Sequence, residues 1–188
     1  FEDITSDWKY LVDKHRLTSD ARYLHHKGKP VVIIWGLGFD SPSRRYTPRL
    51  ALRIIRFFKD DPVYGGNYCI GGVPTGWRTL SRRFRSDPHW GRVYREFDAV
   101  HPWTVGRYTT LEAMGRYKLE YWGPDITETQ RLGMDYLPVV WPGFSWDNLK
   151  RLEHGSSLKR RLGGRFLWAQ LHAARLAGAE MIFVAMFD

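Results

Sequence analysis

KPVVIIWGLGF, residues 29–39, decides the fold. Val31, Val32, Ile33, Ile34 and Trp35 follow one another with no polar residue between them. A continuous β-branched run of this length is expected to form a strand buried on both faces, as strands of a parallel sheet are. Lys29-Pro30 leads into it, and Gly36 and Gly38 let the chain turn away. A parallel strand needs a crossover connection before the next strand, usually a helix. That helix is announced by Thr47-Pro48, a capping hydroxyl followed by proline at the first helical position. Leu50, Ala51, Ile54, Ile55 and Phe58 mark its buried face, and Pro62 and Gly65-Gly66 end the unit.

The same alternation continues outward on both sides. Tyr68 to Val73 is the next expected strand, weakened by Gly71 and Gly72. Asp87-Pro88 opens a helix running to about Glu96, and Ala99-Val100-His101 marks a third strand. Thr109 and Glu112 make a capping-box pattern for the following helix. Tyr136 to Trp141 is a fourth strand. Gly163-Gly164 precedes a final helix with Phe166, Leu167, Gln170, Leu171 and Ala174 on one side, stopped by Gly178 in the left-handed conformation. Met181 to Met186 is the fifth strand. Toward the N-terminus, Trp8, Leu11, Val12 and His15 give the stripe of a helix from about Thr5 to His15, capped by Ser6 or Thr5. His25-His26 is expected in a surface loop; adjacent histidines cannot chelate one ion as an i, i+4 helical pair does.

Strands are therefore expected at about 31–35, 68–73, 97–102, 136–141 and 181–187, parallel and adjacent in order. Two α/β architectures accommodate them: a doubly wound five-stranded sheet, or the last five strands of a (β/α)8 TIM barrel. A complete barrel needs roughly 250 residues, and this chain has 188. It opens on a helix and closes on an uncovered hydrophobic strand, so residues 1–188 are expected to be the C-terminal portion of a single barrel domain. Such a portion would carry open sheet edges, which invite association.

Composition narrows the classes. Hydrophobic residues make up 43% and charged residues 26%, which excludes a disordered chain. No apolar run approaches the ~18 residues of a membrane span, and no signal peptide is visible. The single cysteine, Cys69, excludes an internal disulfide and a Cys-based zinc site; it sits in an apolar stretch as a small core residue. No metal and no cofactor is expected: no P-loop occurs, and Gly36-Leu37-Gly38 lacks the third glycine of a dinucleotide fingerprint. The net charge of +9 comes from scattered basic residues, with clusters at Arg44 and Arg45, at Arg82, Arg83 and Arg85, and at Lys159, Arg160 and Arg161. A solvated surface accounts for them, and neither nucleic acid nor membrane is expected as a partner.

In a parallel barrel the active site is built from the loops after the strands. Here those positions repeat one mixture. They hold Trp35, Gly36, Phe39 and Asp40, then Trp77 and Arg78, then His101, Trp103, Arg107 and Tyr108, then Trp141, Trp146 and Asp147, and finally Phe187 and Asp188. Aromatic faces beside hydrogen-bonding side chains are what a sugar site needs, since a pyranose offers C–H faces and hydroxyls together. The expected substrate-binding set is Trp35, Trp77, Arg78, His101, Trp103, Arg107, Tyr108, Trp141, Trp146 and Asp188. The same residue types also serve as core. No paired-carboxylate site of the kind glycosidases use is present, and the catalytic residues stay unassigned.

The segments KPVVIIWGLGF (29–39), GGVPTGWRTL (71–80), FDAVHPWTVGRY (97–108), YLPVVWPGFSWDNL (136–149) and GGRFLWAQLHAARLAGAEMIFVAMFD (163–188) resemble, in the same order, glycoside hydrolase families 71 and 99 and their bacterial xylosidase/arabinosidase-like relatives. The resemblance implies a (β/α)8 barrel with this chain supplying the fourth to eighth strands. It implies hydrolysis of O-glycosyl bonds in a glycan: family 99 enzymes are endo-acting on α-mannosides or α-mannans, family 71 enzymes on α-1,3-glucan. It places the catalytic acids in a Glu-rich motif directly after the last strand, past Asp188, so this chain alone is expected to be inactive. It also implies a secreted or periplasmic location. Two other readings remain at this point: a non-catalytic glycan-binding barrel, and a basic nucleic-acid-binding α/β domain that stacks bases on tryptophan.

Overall fold

The computed structural model describes residues 1–39, 46–81, 87–145, 158–159 and 161–186. Asp40, Trp146, Asp147, Phe187 and Asp188 lie outside them, as do Arg44, Arg45, Arg82, Arg83, Arg85 and Arg160. The chain forms two compact units, Phe1–Val100 and His101–Asp188, and each is described by itself.

The first unit begins with α1 (Glu2–His15). It starts three residues before the expected cap, because Thr5 is buried and turns its hydroxyl back to donate to the Glu2 carbonyl at 3.0 Å. Arg16, at φ 49°, ends it. The expected His25-His26 loop is instead β1 (His25–His26), paired antiparallel with the start of β2 (Lys29–Trp35). Lys27 and Gly28, at φ 51° and 74°, make the two-residue turn between them, the conformation that matches the twist of a hairpin. Beyond the hairpin the strands run parallel. Val31 to Trp35 register with Tyr68 to Gly72 of β3 (Tyr68–Val73).

Between β2 and β3 lies α2 (Pro48–Asp60), started as expected: Thr47 Oγ1 accepts from the Leu50 N–H at 3.2 Å. Ala51, Ile54, Ile55, Phe57 and Phe58 are buried. Burial of β2 is less complete than its sequence suggests. Val31 and Val32 are covered, but Ile33 and Trp35 are 40% and 38% exposed, so toward the C-terminal end of the strand the face that Val31 shares with them is only partly covered by the described residues. The helix expected over 87–96 is a single turn and a half, α3 (Trp90–Tyr94).

Next comes β4 (Ala99–Pro102). Asp98 seats its start beside β3: its N–H donates to the Cys69 carbonyl at 2.9 Å, and its carboxylate accepts from the Cys69 N–H at 2.8 Å and pairs with Lys59 at 3.1 Å.

In the second unit α4 (Leu111–Tyr117) is capped by Thr110, one residue later than the Thr109 box suggests; its hydroxyl accepts from the Ala113 N–H at 3.1 Å. One π-helical turn, Lys118–Trp122, joins it to α5 (Gly123–Arg131) and buries Tyr121 and Trp122. The single strand expected at 136–141 is split in two, β5 (Asp135–Tyr136) and β6 (Val139–Val140). Pro138 stands between them, where it cannot donate to a ladder. A short antiparallel pair, β7 (Phe144–Ser145) with β8 (Leu158–Lys159), precedes α6 (Arg165–Leu176). Gly178, at φ 92°, closes α6 in a Schellman motif: Gly178 N–H donates to Arg175 O and Ala179 N–H to Ala174 O. Of the last strand only β9 (Phe183–Val184) is regular, parallel to β6.

The main sheet has the hydrogen-bonded order β1-β2-β3-β4-β5. Apart from the β1 hairpin its order follows the chain, helices stand between the strands, and no reversal of order occurs. This is the arrangement of part of a (β/α) barrel and not of a doubly wound sheet.

Candidate functional site

In the first unit the C-terminal ends of β2 and β3 place Trp35 and Gly72 side by side. The indole lies flat over the glycine: a Cβ at position 72 would stand 2.2 Å from its Cδ2. On the alternate position, Gly71 carries the Phe97 ring in the same way, at 2.4 Å. The two glycines that weaken β3 as a sequence are the seats of two aromatic rings, one per face. Phe39 flanks Trp35 at 5.9 Å. The loop after β2 is held from beneath by α3, where Tyr94 donates to the Gly38 carbonyl at 3.3 Å. Gly38 has φ 75°, and any Cβ there would meet the Tyr94 hydroxyl at 2.0 Å. Trp77, by contrast, is wholly buried and has the Arg95 guanidinium 5.7 Å from its ring centre. Arg78 next to it is half-buried.

In the second unit His101 is fully buried, with its ring 4.7 Å from Phe183 of β9. Burial lowers its pKa to about 4, so the imidazole is neutral near pH 7. Trp103 is half-buried and Arg107 exposed. Thr104 Oγ1 donates to the Val139 carbonyl, tying the loop after β4 to β6. Tyr108 and Trp141 do come together, 5.5 Å between ring centres, but both are buried and Phe166 closes the other side of Trp141 at 4.8 Å.

The centre of that cluster is Gln170 of α6, which the sequence put on the buried side of the helix without giving it a role. Its Nε2 donates to the Trp141 carbonyl at 2.7 Å and to the Phe166 carbonyl at 3.0 Å. Its Oε1 accepts from the Tyr108 hydroxyl at 2.8 Å and from the Trp141 N–H at 3.3 Å. At the point where the β6 ladder stops, the side-chain amide takes the place of a neighbouring peptide group. The readable signal was a lone Gln among the apolar residues of a helix face, which is tolerated only when all its hydrogen bonds are made.

The half-buried Asp98 and the buried Asp125 sit elsewhere. Asp98 stands at the start of β4, opposite to its C-terminal end, and Asp125 of α5 accepts from the Tyr136 hydroxyl at 3.4 Å near the start of β5. No group of three or more His, Cys, Asp or Glu among the described residues is arranged to hold a metal ion. None of the described helices is long and apolar enough to cross a membrane.

No family model matches the sequence, and no curated protein does. Solved structures do. A family 99 endo-α-mannosidase from Bacteroides thetaiotaomicron, in complex with Bis-Tris propane, superposes with a TM-score of 0.65 at 15% identity, over 100% of this chain and 52% of its own. A second structure of a family 99 endo-α-mannosidase from that organism gives 0.65 at 16%, over 98% and 49%. A glycoside hydrolase-like protein gives 0.62 at 18%, over 98% and 51%. The chain spans about half the length of these structures, and over that span it has the fold of the glycoside hydrolase family 99 barrels.

Proposed function

We propose that the intact protein is a glycoside hydrolase that cleaves O-glycosyl bonds of an oligosaccharide or polysaccharide, secreted or periplasmic, with this chain supplying part of the barrel and one wall of the glycan site. The single observation that carries the reading is Trp35. It stands at the C-terminal end of a barrel strand, the end where such barrels bind substrate. It is 38% exposed and backed by the flat floor of Gly72. A tryptophan seated this way presents a face to a sugar ring. Trp103, Arg107 and Arg78 reach solvent in part and have the chemistry to bind hydroxyls.

Cleavage needs two carboxyl groups. By resemblance to families 71 and 99 they belong directly after the last strand, as two glutamates or an Asp/Glu pair within about ten residues of Asp188. In the retaining mode implied for family 99, the substrate's own 2-hydroxyl replaces an enzyme nucleophile and one carboxylate acts as base on it. The test is hydrolysis of α-mannan, α-1,3-glucan and arabinoxylan oligosaccharides by the intact protein. Cleavage of one of them, lost when both carboxylates are replaced, is expected. Activity surviving that double replacement overturns the assignment. Binding without cleavage would favour a glycan-binding barrel that keeps Trp35 and has lost the acids.

A further inference from the structure

The first unit holds a second feature that the glycosidase reading leaves unused: a groove of about 600 Å³ between α2 and α3, well within the range of ligand sites. Among the described residues four guanidinium groups line it, Arg49, Arg53 and Arg56 from α2 and Arg92 from α3. On α2 they recur at i, i+4 and i+7, one face of the helix, over roughly 10 Å at about 1.5 Å per residue. Arg92 faces them from α3. Leu52 supplies apolar surface between the charges.

Arg53 lies over the Phe1 ring at 3.7 Å and 3.8 Å from Glu2, and Arg56 is 3.6 Å from Glu96. These contacts are exposed; they orient the guanidiniums without neutralising them. Arg49 and Arg92 make no ion pair among the described residues. Asp87, the one carboxylate among the described lining residues, is occupied by the His89 N–H and ring at 2.9 and 2.6 Å. The groove is therefore a concave surface on which, among the described residues, positive charge outweighs negative, and such a surface focuses anions. Its position matters as much. Along the chain α2 and α3 follow β2 and β3, the two strands whose C-terminal ends carry Trp35 and Gly72.

We propose that this groove binds an acidic sugar chain, through sulfate or carboxylate groups spaced along it, as an extension of the glycan site. Guanidinium pairs well with planar and tetrahedral oxyanions in bidentate fashion. Single-stranded nucleic acid is disfavoured because its recognition relies on bases stacked on aromatic rings, and among the described residues no Phe, Tyr or Trp lines the groove. The proposal rests on the glycan reading of the site.

The experiment measures binding to the intact protein of four length-matched probes: a dextran sulfate oligosaccharide, an oligogalacturonate, a neutral dextran oligosaccharide and oligothymidylate. Each is titrated at about 50 and 300 mM salt, because ionic contacts weaken with salt and neutral ones do not. At least one acidic glycan is expected to bind about tenfold or more tighter than the neutral one at low salt. Arg49→Gln with Arg92→Gln removes that advantage and leaves neutral binding unchanged. Arg49→Lys with Arg92→Lys, which keeps the charge, retains most of it and controls for folding. The sulfated and carboxylated probes distinguish the two sources of oxyanion. Equal binding of acidic and neutral chains, or an advantage that survives the Gln pair, overturns the proposal. So does oligothymidylate binding as tightly as the acidic glycans and responding to the same variants. Neutral glycan cleavage without acidic preference would sink this groove alone; acidic binding without any cleavage would sink the hydrolase reading alone.

Discussion

A methyl group at Gly72 would first meet the Trp35 indole, and one at Gly71 the Phe97 ring. The consequences differ because Phe97 is 2% exposed and Trp35 38%. Gly71→Ala is expected to cost about 1–3 kcal/mol, the scale of overpacking a core, read as a lower urea midpoint. Gly72→Ala swings an indole that can move, so the expected effect is weaker glycan binding and altered tryptophan fluorescence with little loss of stability. A Gly72→Ala protein that binds glycans normally would remove Trp35 from the site. In the second unit, Gln170→Leu keeps the volume but strips partners from the buried Trp141 N–H and carbonyl. A cost of roughly 2–4 kcal/mol is expected, against about 1 for Tyr108→Phe, since unsatisfied buried groups cost more than a lost neutral bond; denaturant titration of both variants checks the order. His101 adds a pH dependence. Burial lowers its folded pKa to about 4 from an unfolded value near 6.5. Between these values the unfolded chain binds a proton that the folded one does not. Stability is thus full above about pH 6.5 and falls as pH drops toward 4, by about 3 kcal/mol in all. Urea midpoints at pH 7 and pH 5 should differ, and His101→Gln should shrink that difference. An unchanged difference would remove His101 as its source.

At the scale of elements, local backbone chemistry was legible and tertiary partnership was not. Thr47-Pro48 and Gly178 act within a few residues of themselves; the first starts its helix and the second ends its helix where the sequence put them. Gly178→Ala forces φ 92° on a residue with a Cβ, while the nearest atom such a Cβ would meet is 4.0 Å away. The expected cost of about 1 kcal/mol is therefore backbone strain alone, measured as a lower Tm; no change would mean that the motif relaxes. The capping hydroxyl at the start of α4 was misplaced by one residue because Thr109 and Thr110 differ only in which one the loop leaves in extended conformation. The fourth strand broke into β5 and β6 for a reason invisible to periodicity: its two halves pair with different neighbours. β2 was read as doubly buried from its residue types. Whether the alternate residues Ile33 and Trp35 are covered depends on elements far away in sequence, and no run of β-branched residues encodes that.

For the whole molecule, the order of the main sheet followed from the alternation of strand and helix, and the barrel reading survives the pattern of pairing. The residue types of the candidate site were legible in the sequence, and the exposure of its rings was not. Trp35, Trp77 and Trp141 all follow strands, yet two are 0% exposed and one is not; the difference lies in Arg95, Tyr108 and Phe166, which come from other elements. Cys69 offers a readout of global opening. It is fully buried, and burial pushes its thiol pKa up to about 12, so a thiol reagent should label it only as fast as the fold opens. Labelling of the intact protein should be slow at pH 8 and accelerate with urea in step with unfolding; rapid labelling in native buffer would show that β3 opens locally. The Gln170 amide has a different kind of consequence. Where a loop leaves a sheet under backbone pairing alone, redirecting it takes an inserted or deleted residue. At Trp141 the anchor is a side chain on another helix, so one codon can re-aim the loop that follows. The loop after β2 is anchored in the same way, by Tyr94 of α3 on the Gly38 carbonyl, so at both exits a point mutation can redirect the chain.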